Sequence, residues 1–345
     1  MRFSKDQLEG VAAQILRAAN AEIDEAQTVA RHLVKANLVG HDSHGVIRLT
    51  QYVEHVREGA IRPGAELVTL RDADAVSLFD AGRGFGQVMA TKALAVGLEK
   101  AHRFGIAMVG LRNVGHVGRL GDWADLCAEA GVVSQHFVNS PARPAMVPFG
   151  GRERRMSTNP ICFGVPVSGG PGLSADMTTS SVAEGKLRVA RTAGKAIPED
   201  WIVDRDGQAS TDPKDFYEGG AMLPMGKHKG YALGLVVELF AGALSLGGTT
   251  NPEATVNTNN MLSILIDPRA FDTAQETADI AAAFLDFVRS SRPSDSSVPV
   301  QIPGEPEARA EQSRLREGIE IADPIWAQIA ATAGTLGLSE EDLTG

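Results

Sequence analysis

Cysteine is scarce in this chain of 345 residues, which contains Cys127 and Cys162 alone. Two cysteines exclude a scaffold of several disulfides and a four-cysteine zinc site. Neither belongs to a CxxC pair, so each thiol is expected to be an ordinary buried side chain. We therefore expect a reducing, cytoplasmic location.

A surplus of positive charge is also lacking. The 43 Asp and Glu side chains outnumber the 33 Lys and Arg side chains and leave a net charge of -10. This balance disfavours a nucleic-acid groove and binding to an anionic membrane surface. Small phosphorylated or carboxylated ligands stay compatible with it, because a local group of Lys and Arg side chains can outweigh the overall charge.

Long apolar segments are absent as well. The longest run, residues 231–246, contains Glu238 and is shorter than the ~20 residues that cross a bilayer. Residues 1–10 are polar, so we expect no secretory signal peptide. With 43% hydrophobic and 22% charged residues, the composition is globular, and the apolar run predicts a buried helix of the core.

Helical patterns flank a middle part in which strands and helices alternate. Ser4 and Gln7 match a capping box at the start of the first helix. Further helices are predicted at 22–38, from Asp42 or Ser43 to about Arg57, and at 89–104, 120–129, 307–316 and 323–336, the last capped by Asp323. Strands are predicted at 75–79, 106–111, 132–138, 161–165 and 261–266. The alternation predicts an α/β fold.

Three functional side chains follow each other at a helical spacing near the N-terminus. If this segment is helical, His44, Arg48 and Tyr52 share one face, because residues four apart lie one turn from each other. An imidazole can move a proton to or from an oxygen atom, and a guanidinium can hold a carboxylate. The spacing therefore indicates a site for a 2-oxo or 2-hydroxy acid.

The same segment leaves a metal site open as an alternative. His41, Asp42 and His44 are metal-ligand types, although further ligands would have to come from elsewhere in the chain. Ser43 lies next to His44 without the G-x-S-x-G context of a hydrolase nucleophile. A hydroxyl that holds the imidazole or a substrate oxygen is the simpler role for Ser43.

A glycine-rich loop falls short of the dinucleotide-binding fingerprint. Gly82, Gly84 and Gly86 lie between a predicted strand and a predicted helix, but Gln87 occupies the sixth position, where the fingerprint requires glycine. No acidic residue stands at the end of a second strand some twenty residues later. A plain turn is the better interpretation.

Four other loops could hold a ligand or simply form turns. Residues 115–121 place three glycines around His116 before a predicted helix, whose free N–H groups suit a phosphate or carboxylate. The runs 157–160 and 176–181 are rich in short hydrogen-bonding side chains. Residues 226–230 offer two lysines between glycines, without the phosphate-loop spacing.

In their order and spacing, these motifs resemble the type 2 malate/L-lactate dehydrogenase family, which also includes ureidoglycolate dehydrogenase, 2,3-diketogulonate reductase and Δ1-piperideine-2-carboxylate reductase. The resemblance extends over essentially the whole chain. It is carried by Ser43-His44-Gly45 with Arg48 and Tyr52, and by residues 113–118, 158–160, 176–180, 185–186, 197–198, 229–231 and 303–305.

The resemblance implies a non-Rossmann NAD(P)-binding fold with a largely antiparallel sheet. It implies that residues 1–70 pack with residues 270–345 as a helical unit, and that residues 71–269 form the cofactor-binding domain. The implied cofactor is NAD or NADP, the implied substrate is a small carboxylate, and the implied assembly is a homodimer.

The resemblance also implies roles for individual residues. His44, supported by Ser43, would exchange the proton of the substrate oxygen, and His116 competes with His44 for that role. Arg48 would bind the substrate carboxylate, with Tyr52 and Thr158 as further substrate contacts. Cofactor contacts are implied for His116, Val117, Gly118, Arg119, Leu120, Ser140, Asp176, Met177, Thr178, Glu184, Gly185, Lys229, Gly230, Gly304, Glu305 and Pro306.

These observations favour an NAD(P)-dependent 2-hydroxy acid dehydrogenase with no resident metal, and three alternatives stay open. One is a cyclic imine carboxylate reductase, which Lys186 disfavours because that branch carries an Asp there. Another is a metal-dependent hydrolase built on His41, Asp42 and His44. The third is a nucleotide-binding protein without catalytic activity.

Overall fold

The computed structural model describes residues 1–271 and 274–344. Its helices are α1 (Lys5–Ala18), α2 (Ile23–Leu38), α3 (Arg48–Arg57), α4 (Gly86–Phe104), α5 (Gly121–Glu129), α6 (Glu184–Thr192), α7 (Pro213–Tyr217), α8 (His228–Val237), α9 (Ala274–Arg289), α10 (Glu305–Glu317), α11 (Asp323–Gly334) and α12 (Glu340–Thr344). Its strands are β1 (Arg2–Phe3), β2 (Val68–Ala73), β3 (Val76–Asp80), β4 (Ile106–Val114), β5 (Val133–Asn139), β6 (Ile161–Val165), β7 (Leu173–Met177), β8 (Ile202–Val203), β9 (Ala209–Ser210), β10 (Ala221–Met222), β11 (Asn259–Ile266) and β12 (Ile319–Glu320).

A seven-stranded sheet forms the centre of the molecule, in the order β2-β3-β4-β11-β5-β6-β7. Within the described residues β3 and β4 run parallel, and every other neighbouring pair of this sheet is antiparallel. The late strand β11 enters between β4 and β5, so that Leu262 pairs with Gly110 on one side and Phe137 on the other. This arrangement confirms the predicted α/β fold with a largely antiparallel sheet.

One hydrophobic core lies beneath this sheet. Met89 and Leu94 of α4 and Trp123 of α5 pack with Leu111 of β4 and Leu265 of β11, and all five side chains are buried. Burial of such aliphatic and aromatic side chains contributes about 1.5–3 kcal/mol each. The core holds the C-terminal end of β4 and the start of α5 in place, with the loop 115–120 between them.

A second core combines side chains from both ends of the chain. Leu8 of α1 and Leu33 of α2 belong to the same buried cluster as Trp326 of α11. Phe3 of β1 pairs with Ile319 of β12, and the Phe3 and Trp326 rings lie 4.7 Å apart. The predicted boundaries of a terminal unit (1–70 with 270–345) and a cofactor-binding domain (71–269) stay a prediction.

The structure confirms the capping box at Ser4 and Gln7 but corrects the continuous helix predicted from Asp42 to Arg57. Residues Asp42–His44 form a 3₁₀ turn, the backbone is extended at Gly45, and α3 begins at Arg48. Asn37 causes the break, because its side-chain oxygen accepts a hydrogen bond from the Val46 N–H at 2.9 Å. A Cβ atom at Gly45 would lie only 2.2 Å from that oxygen, so a larger residue there would displace the Asn37 side chain.

The apolar run 231–246 is not the fully buried helix that its composition predicts. It forms part of α8 and then a π-helix, Glu238–Leu244, and Val237 of α8 and Ala241 of the π-helix face the core. Leu239 is 57% exposed and Leu246 is 66% exposed. Among the described residues, no helix is both long and apolar enough to cross a membrane.

A smaller correction concerns α11, for which Asp323 was the predicted N-cap. Ala322 occupies the cap position, and Asp323 is the first residue of the helix. Its carboxylate lies 3.2 Å from the N-terminal ammonium of Met1. The acidic side chain still stabilises the positive end of the helix from its first turn.

Candidate active site

Ser43, His44 and Arg48 are brought together by the 3₁₀ turn and the first turn of α3. The Ser43 hydroxyl lies 3.0 Å from Nδ1 of His44. Arg48 donates from Nε to the Ser43 carbonyl at 2.7 Å and from Nη1 to Gln51 at 2.7 Å. The tight turn thus lets two consecutive side chains meet, which neighbours in an α-helix do not do.

His116 approaches His44 from the loop that follows β4. The two imidazole rings are stacked, with centroids 5.6 Å apart and planes inclined by 22°. On its other side, Nδ1 of His116 lies 2.8 Å from the Tyr52 hydroxyl, and Gln87 Nε2 donates to that hydroxyl at 2.8 Å. Residues from α3, α4 and the loop after β4 therefore converge on one pair of histidines.

The glycine-rich loop at residues 82–86 allows the start of α4 to lie close to the loop that carries His116. The Gly115 N–H donates to the Gly84 carbonyl at 2.9 Å. A Cβ atom at Gly86 would lie 2.1 Å from the carbonyl oxygen of His116. The glycines of residues 82–86 thus permit close backbone packing against the histidine loop.

Burial shapes the protonation of the site. Burial, with the Arg48 charge next, lowers the pKa of His44 to about 3. The same two causes lower the pKa of His116 well below its ordinary value. Burial raises the pKa of Tyr52 to about 12, against the effect of its hydrogen bond with Gln87. At neutral pH both imidazoles are neutral and the phenol holds its proton.

Thr158 lies on a second loop, fixed mainly through its backbone. Its carbonyl accepts hydrogen bonds from the Thr178 hydroxyl at 2.9 Å and from the Thr179 hydroxyl at 3.0 Å. The next residue, Asn159, has a positive φ of 42° and donates to Glu238 of the π-helix at 3.0 Å. The loop of Thr158 is thereby tied to the stretch 178–179, which carries a predicted cofactor residue.

A cavity of about 310 Å³ brings some of the predicted cofactor residues together. Its lining includes Asp176 and Met177 of β7, Pro303, and Pro306 and Glu307 of α10. The Asp176 carboxylate accepts a hydrogen bond from the Gly121 N–H at 2.8 Å, and burial raises its pKa. A carboxyl group in such a cavity can bind ribose hydroxyls.

The Arg119 side chain forms ion pairs inside the protein. It is buried, and its guanidinium contacts Asp122 at 2.8 Å and Asp125 at 3.0 Å. Asp122 also lies 2.9 Å from Nδ1 of His32. Among the predicted cofactor contacts, Arg119 is thus committed to ion pairs, and its contact with a cofactor stays a prediction.

The other predicted cofactor residues occupy several loops and helix starts. Gly185 lies beside the histidine turn, since a Cβ atom there would be 3.3 Å from Cβ of Ser43. Each of the remaining residues has a defined position. Three of them are held by a polar contact: Ser140 donates to the Thr258 carbonyl at 3.2 Å, Val117 donates to Asn259 at 3.2 Å, and Glu305 lies 2.7 Å from Arg289. The others lie at the ends of elements. Glu184 begins α6, Lys229 and Gly230 lie in the first turn of α8, Gly118 and Leu120 lie before α5, Thr178 follows β7, and Gly304 precedes α10.

The residues of the predicted alternative metal site are engaged elsewhere. The Asp42 carboxylate contacts the Arg314 guanidinium at 2.6 Å and 3.0 Å, and His41 lies 3.1 Å from Glu307. In the described part of the chain, no group of three or more His, Cys, Asp or Glu side chains could hold a metal ion. Asp42 and His41 are thus each engaged by a side chain of α10.

Sequence reasoning did not assign a role to three residues around the site. The sequence pattern marks Gln87 only as the residue that breaks the glycine fingerprint, and it gives no signal for Asn37 or Arg143. Arg143 is exposed, and its charge contributes to the lowered pKa of His116. The one available signal was the polar Gln87 among apolar residues at a helix start.

Comparison of the sequence with known proteins finds a matching family model and similar relatives that cover nearly the whole chain. The sequence model of a family described as malate/L-lactate dehydrogenase matches residues 3–330. Hydroxycarboxylate dehydrogenase B of Escherichia coli (strain K12) is 38% identical over 349 residues, covering 99% of this chain and 96% of that protein.

Solved structures agree with this result. A candidate malate/lactate dehydrogenase from E. coli superposes with a TM-score of 0.95 at 38% identity, covering 99% of this chain and 97% of the other. The delta1-piperideine-2-carboxylate reductase of Pseudomonas syringae pvar. tomato superposes with a TM-score of 0.87 at 28% identity, covering 96% and 99%.

Proposed function

Since this chain belongs to the malate/L-lactate dehydrogenase family, we propose that it transfers a hydride between NAD(P)H and a small 2-oxo acid, in either direction. Family membership identifies an oxidoreductase of hydroxy acids. The convergence of His44, His116 and Arg48 is the observation that carries the finer proposal. It combines proton carriers and a carboxylate-binding cation within one site.

Arg48 is the proposed anchor of the substrate carboxylate. A guanidinium binds a carboxylate through two parallel hydrogen bonds. Two of its nitrogens, Nε and Nη1, already donate to Ser43 and Gln51, and these bonds fix the plane of the group. Within the described chain Nη2 has no hydrogen-bond partner, so this edge is free to take a ligand oxygen.

His44 is the proposed proton carrier at the C2 oxygen. The Ser43 hydroxyl engages Nδ1 and leaves Nε2 for the substrate. A neutral imidazole is the form that accepts the hydroxyl proton of a 2-hydroxy acid. In the opposite direction the imidazole must carry the proton to be donated. Burial is the first cause of the low pKa of His44 and the Arg48 charge is the second, and a carboxylate bound at Arg48 would offset the second cause and raise that pKa.

The nicotinamide cofactor supplies or accepts the hydride when it is bound. The cavity beside Asp176 and Pro306 fits part of a dinucleotide, because it offers a carboxyl group for ribose hydroxyls next to apolar walls. The antiparallel sheet and the incomplete glycine fingerprint favour a binding mode unlike that of a Rossmann fold. The exposed apolar side chains Leu239 and Leu246 favour the proposed homodimer.

A panel of 2-oxo acids with NADH and NADPH tests this function through the loss of the nicotinamide absorbance band. We expect turnover with at least one small 2-oxo acid and dependence on the nucleotide. NADH binding without turnover on any acid of the panel would instead support the nucleotide-binding alternative.

A cyclic imine reductase is the second candidate, because the solved piperideine-2-carboxylate reductase shares the fold at 28% identity. Lys186 is exposed in α6, where that branch of the family carries an aspartate. We therefore expect turnover on pyruvate or oxaloacetate to exceed turnover on piperideine-2-carboxylate. The reverse ratio would favour the imine reductase.

A further inference from the structure

Gln87 is a buried polar residue to which the proposed reaction assigns no role. It lies in the first turn of α4 and is 1% exposed. Its Nε2 donates a hydrogen bond of 2.8 Å to the Tyr52 hydroxyl, which is itself fully buried. Burying a polar group costs free energy unless it is hydrogen-bonded, and among the described residues the buried Oε1 of Gln87 has no hydrogen-bond partner.

The hydrogen bond from Gln87 decides the direction of the next one. The Tyr52 hydroxyl has a single hydrogen to donate. Because its oxygen accepts the hydrogen bond from the Gln87 amide, the hydroxyl hydrogen is left for another acceptor. Nδ1 of His116 lies 2.8 Å from the Tyr52 oxygen and is the acceptor at hand. Tyr52 therefore donates to Nδ1, and a neutral His116 must hold its proton on Nε2.

The opposite edge of His116 is the one that can meet a ligand. The ring is partly exposed, and in the described residues Nε2 has no hydrogen-bond partner. The His116 ring is stacked on the His44 ring, and the Arg48 charge, after burial, helps to lower the pKa of His116. A fixed Nε2–H in that position is a permanent hydrogen-bond donor.

We propose that Gln87 is a positioning residue that acts through Tyr52 to fix the tautomer of His116, so that Nε2–H faces the substrate oxygen as a donor. This role rests on the proposed dehydrogenase function for its purpose, but the tautomer itself does not. It separates the two histidines, with His116 as fixed donor and His44 as the proton carrier. Holding one tautomer is a recognised way of orienting a catalytic imidazole.

Nitrogen-15 NMR of the full-length protein, labelled at histidine and recorded at neutral pH, tests the proposal directly. The His116 signals are assigned by comparison with a His116→Gln variant. We expect the wild-type protein to show His116 as the Nε2–H tautomer. A His116 ring protonated on Nδ1 would overturn the proposal.

Gln87→Met removes the amide with little change in volume, and the same change at the partly exposed Gln14 of α1 is the matched control. We expect the His116 signals to move towards a mixture of tautomers in Gln87→Met and to stay unchanged in Gln14→Met. Unchanged His116 signals in Gln87→Met contradict the proposal. If Gln87→Met does not fold, Tyr52→Phe must produce the same mixture.

Kinetics provide a second readout. With the 2-oxo acid that is turned over best, we expect kcat to fall roughly 10-fold in Gln87→Met while the KM for the nucleotide stays unchanged. A rise in both KM values at unchanged kcat would indicate a merely structural role. If no 2-oxo acid is turned over at all, the proposed function fails, and the NMR result still decides the tautomer.

Discussion

At the scale of single residues, the site depends on which nitrogen or oxygen atom each side chain leaves for a ligand. Ser43 engages one nitrogen of His44, and Tyr52 engages one nitrogen of His116. Arg48 uses two nitrogens to fix its own plane. Each functional side chain is thus fixed by hydrogen bonds on one side and leaves its other polar atoms for a ligand. Hydrogen bonds of this kind orient the groups of a site before the substrate binds.

His44→Ala tests the proton carrier. Without the imidazole, we expect turnover of the 2-oxo acid to fall by roughly 10²-fold or more, with NADH binding nearly unchanged. Steady-state kinetics and fluorescence titration of NADH measure the two quantities. His102→Ala, at the far end of α4, is the control, and equal losses in both variants would remove His44 from its role.

Arg48→Lys tests the carboxylate anchor. Lysine keeps the charge but replaces the planar fork by a point charge, so the KM for the 2-oxo acid should rise by roughly 10-fold or more. The KM for the nucleotide should stay constant. Arg57→Lys, on an exposed position of the same helix, is the matched change, and it should leave both constants as they are.

At the scale of elements, the π-helix Glu238–Leu244 carries the polar network that supports the Thr158 loop. Glu238 is buried and accepts hydrogen bonds from Asn159 at 3.0 Å, from Asn139 at 2.9 Å and from the Thr250 N–H at 3.0 Å. Such local widening of a helix is frequent at functional sites. Here the π-helix places the Glu238 carboxylate in contact with the loops of Asn159 and Thr250 and with the end of β5.

Glu238→Gln is expected to weaken this network, because an amide NH₂ would face donors where a carboxylate oxygen accepted them. We expect the free energy of unfolding to fall by about 1–3 kcal/mol and the KM for the 2-oxo acid to rise. Urea unfolding and kinetics measure these effects. The exposed Glu253→Gln should change stability by less than about 0.5 kcal/mol, and equal stability of the two variants would refute the role of Glu238.

Most elements could be predicted from local patterns, and the exceptions have physical reasons. The strand at 106–111 was recognisable by its apolar run and is contained in β4. Strand β2 was missed because all six of its residues are exposed at the sheet edge, so no alternation marks it. The break at Gly45 depends on the Asn37 side chain in the preceding helix, a contact that helical spacing does not reveal.

At the scale of the whole molecule, the sheet order could not be read from the sequence. Strand β11 enters between β4 and β5, whose sequence positions are more than a hundred residues earlier, and pairing of this kind depends on tertiary packing. The family resemblance supplied the largely antiparallel sheet. Of the candidate site, the sequence supplied His44, Arg48, Tyr52 and His116, but not Gln87, whose role appears only in the folded chain.

The buried His136 makes the stability of the whole protein depend on pH. Its side chain is 0% exposed, and burial lowers its pKa to about 3 from the ordinary 6.5. The unfolded chain therefore binds a proton at this residue below about pH 6.5, while the folded protein does not until about pH 3. The free energy of unfolding should fall as pH is lowered through this window, by up to ~1.4 kcal/mol per pH unit for this group.

Urea unfolding at several pH values between about 7 and 5 measures this dependence. His136→Gln should flatten the slope, because one proton less is taken up on unfolding. His228→Gln, at an exposed position, is the matched control for the removal of one histidine. An unchanged slope in His136→Gln would show that this residue does not contribute.

The most direct test of the central claim is a crystal structure of the protein with NAD and an unreactive 2-oxo acid analogue. The account predicts that the analogue's carboxylate lies against the Arg48 guanidinium, that its C2 oxygen is within hydrogen-bond distance of Nε2 of His44 and of His116, and that the nicotinamide ring faces C2. An analogue bound away from these three side chains, or a nicotinamide ring remote from them, would contradict it.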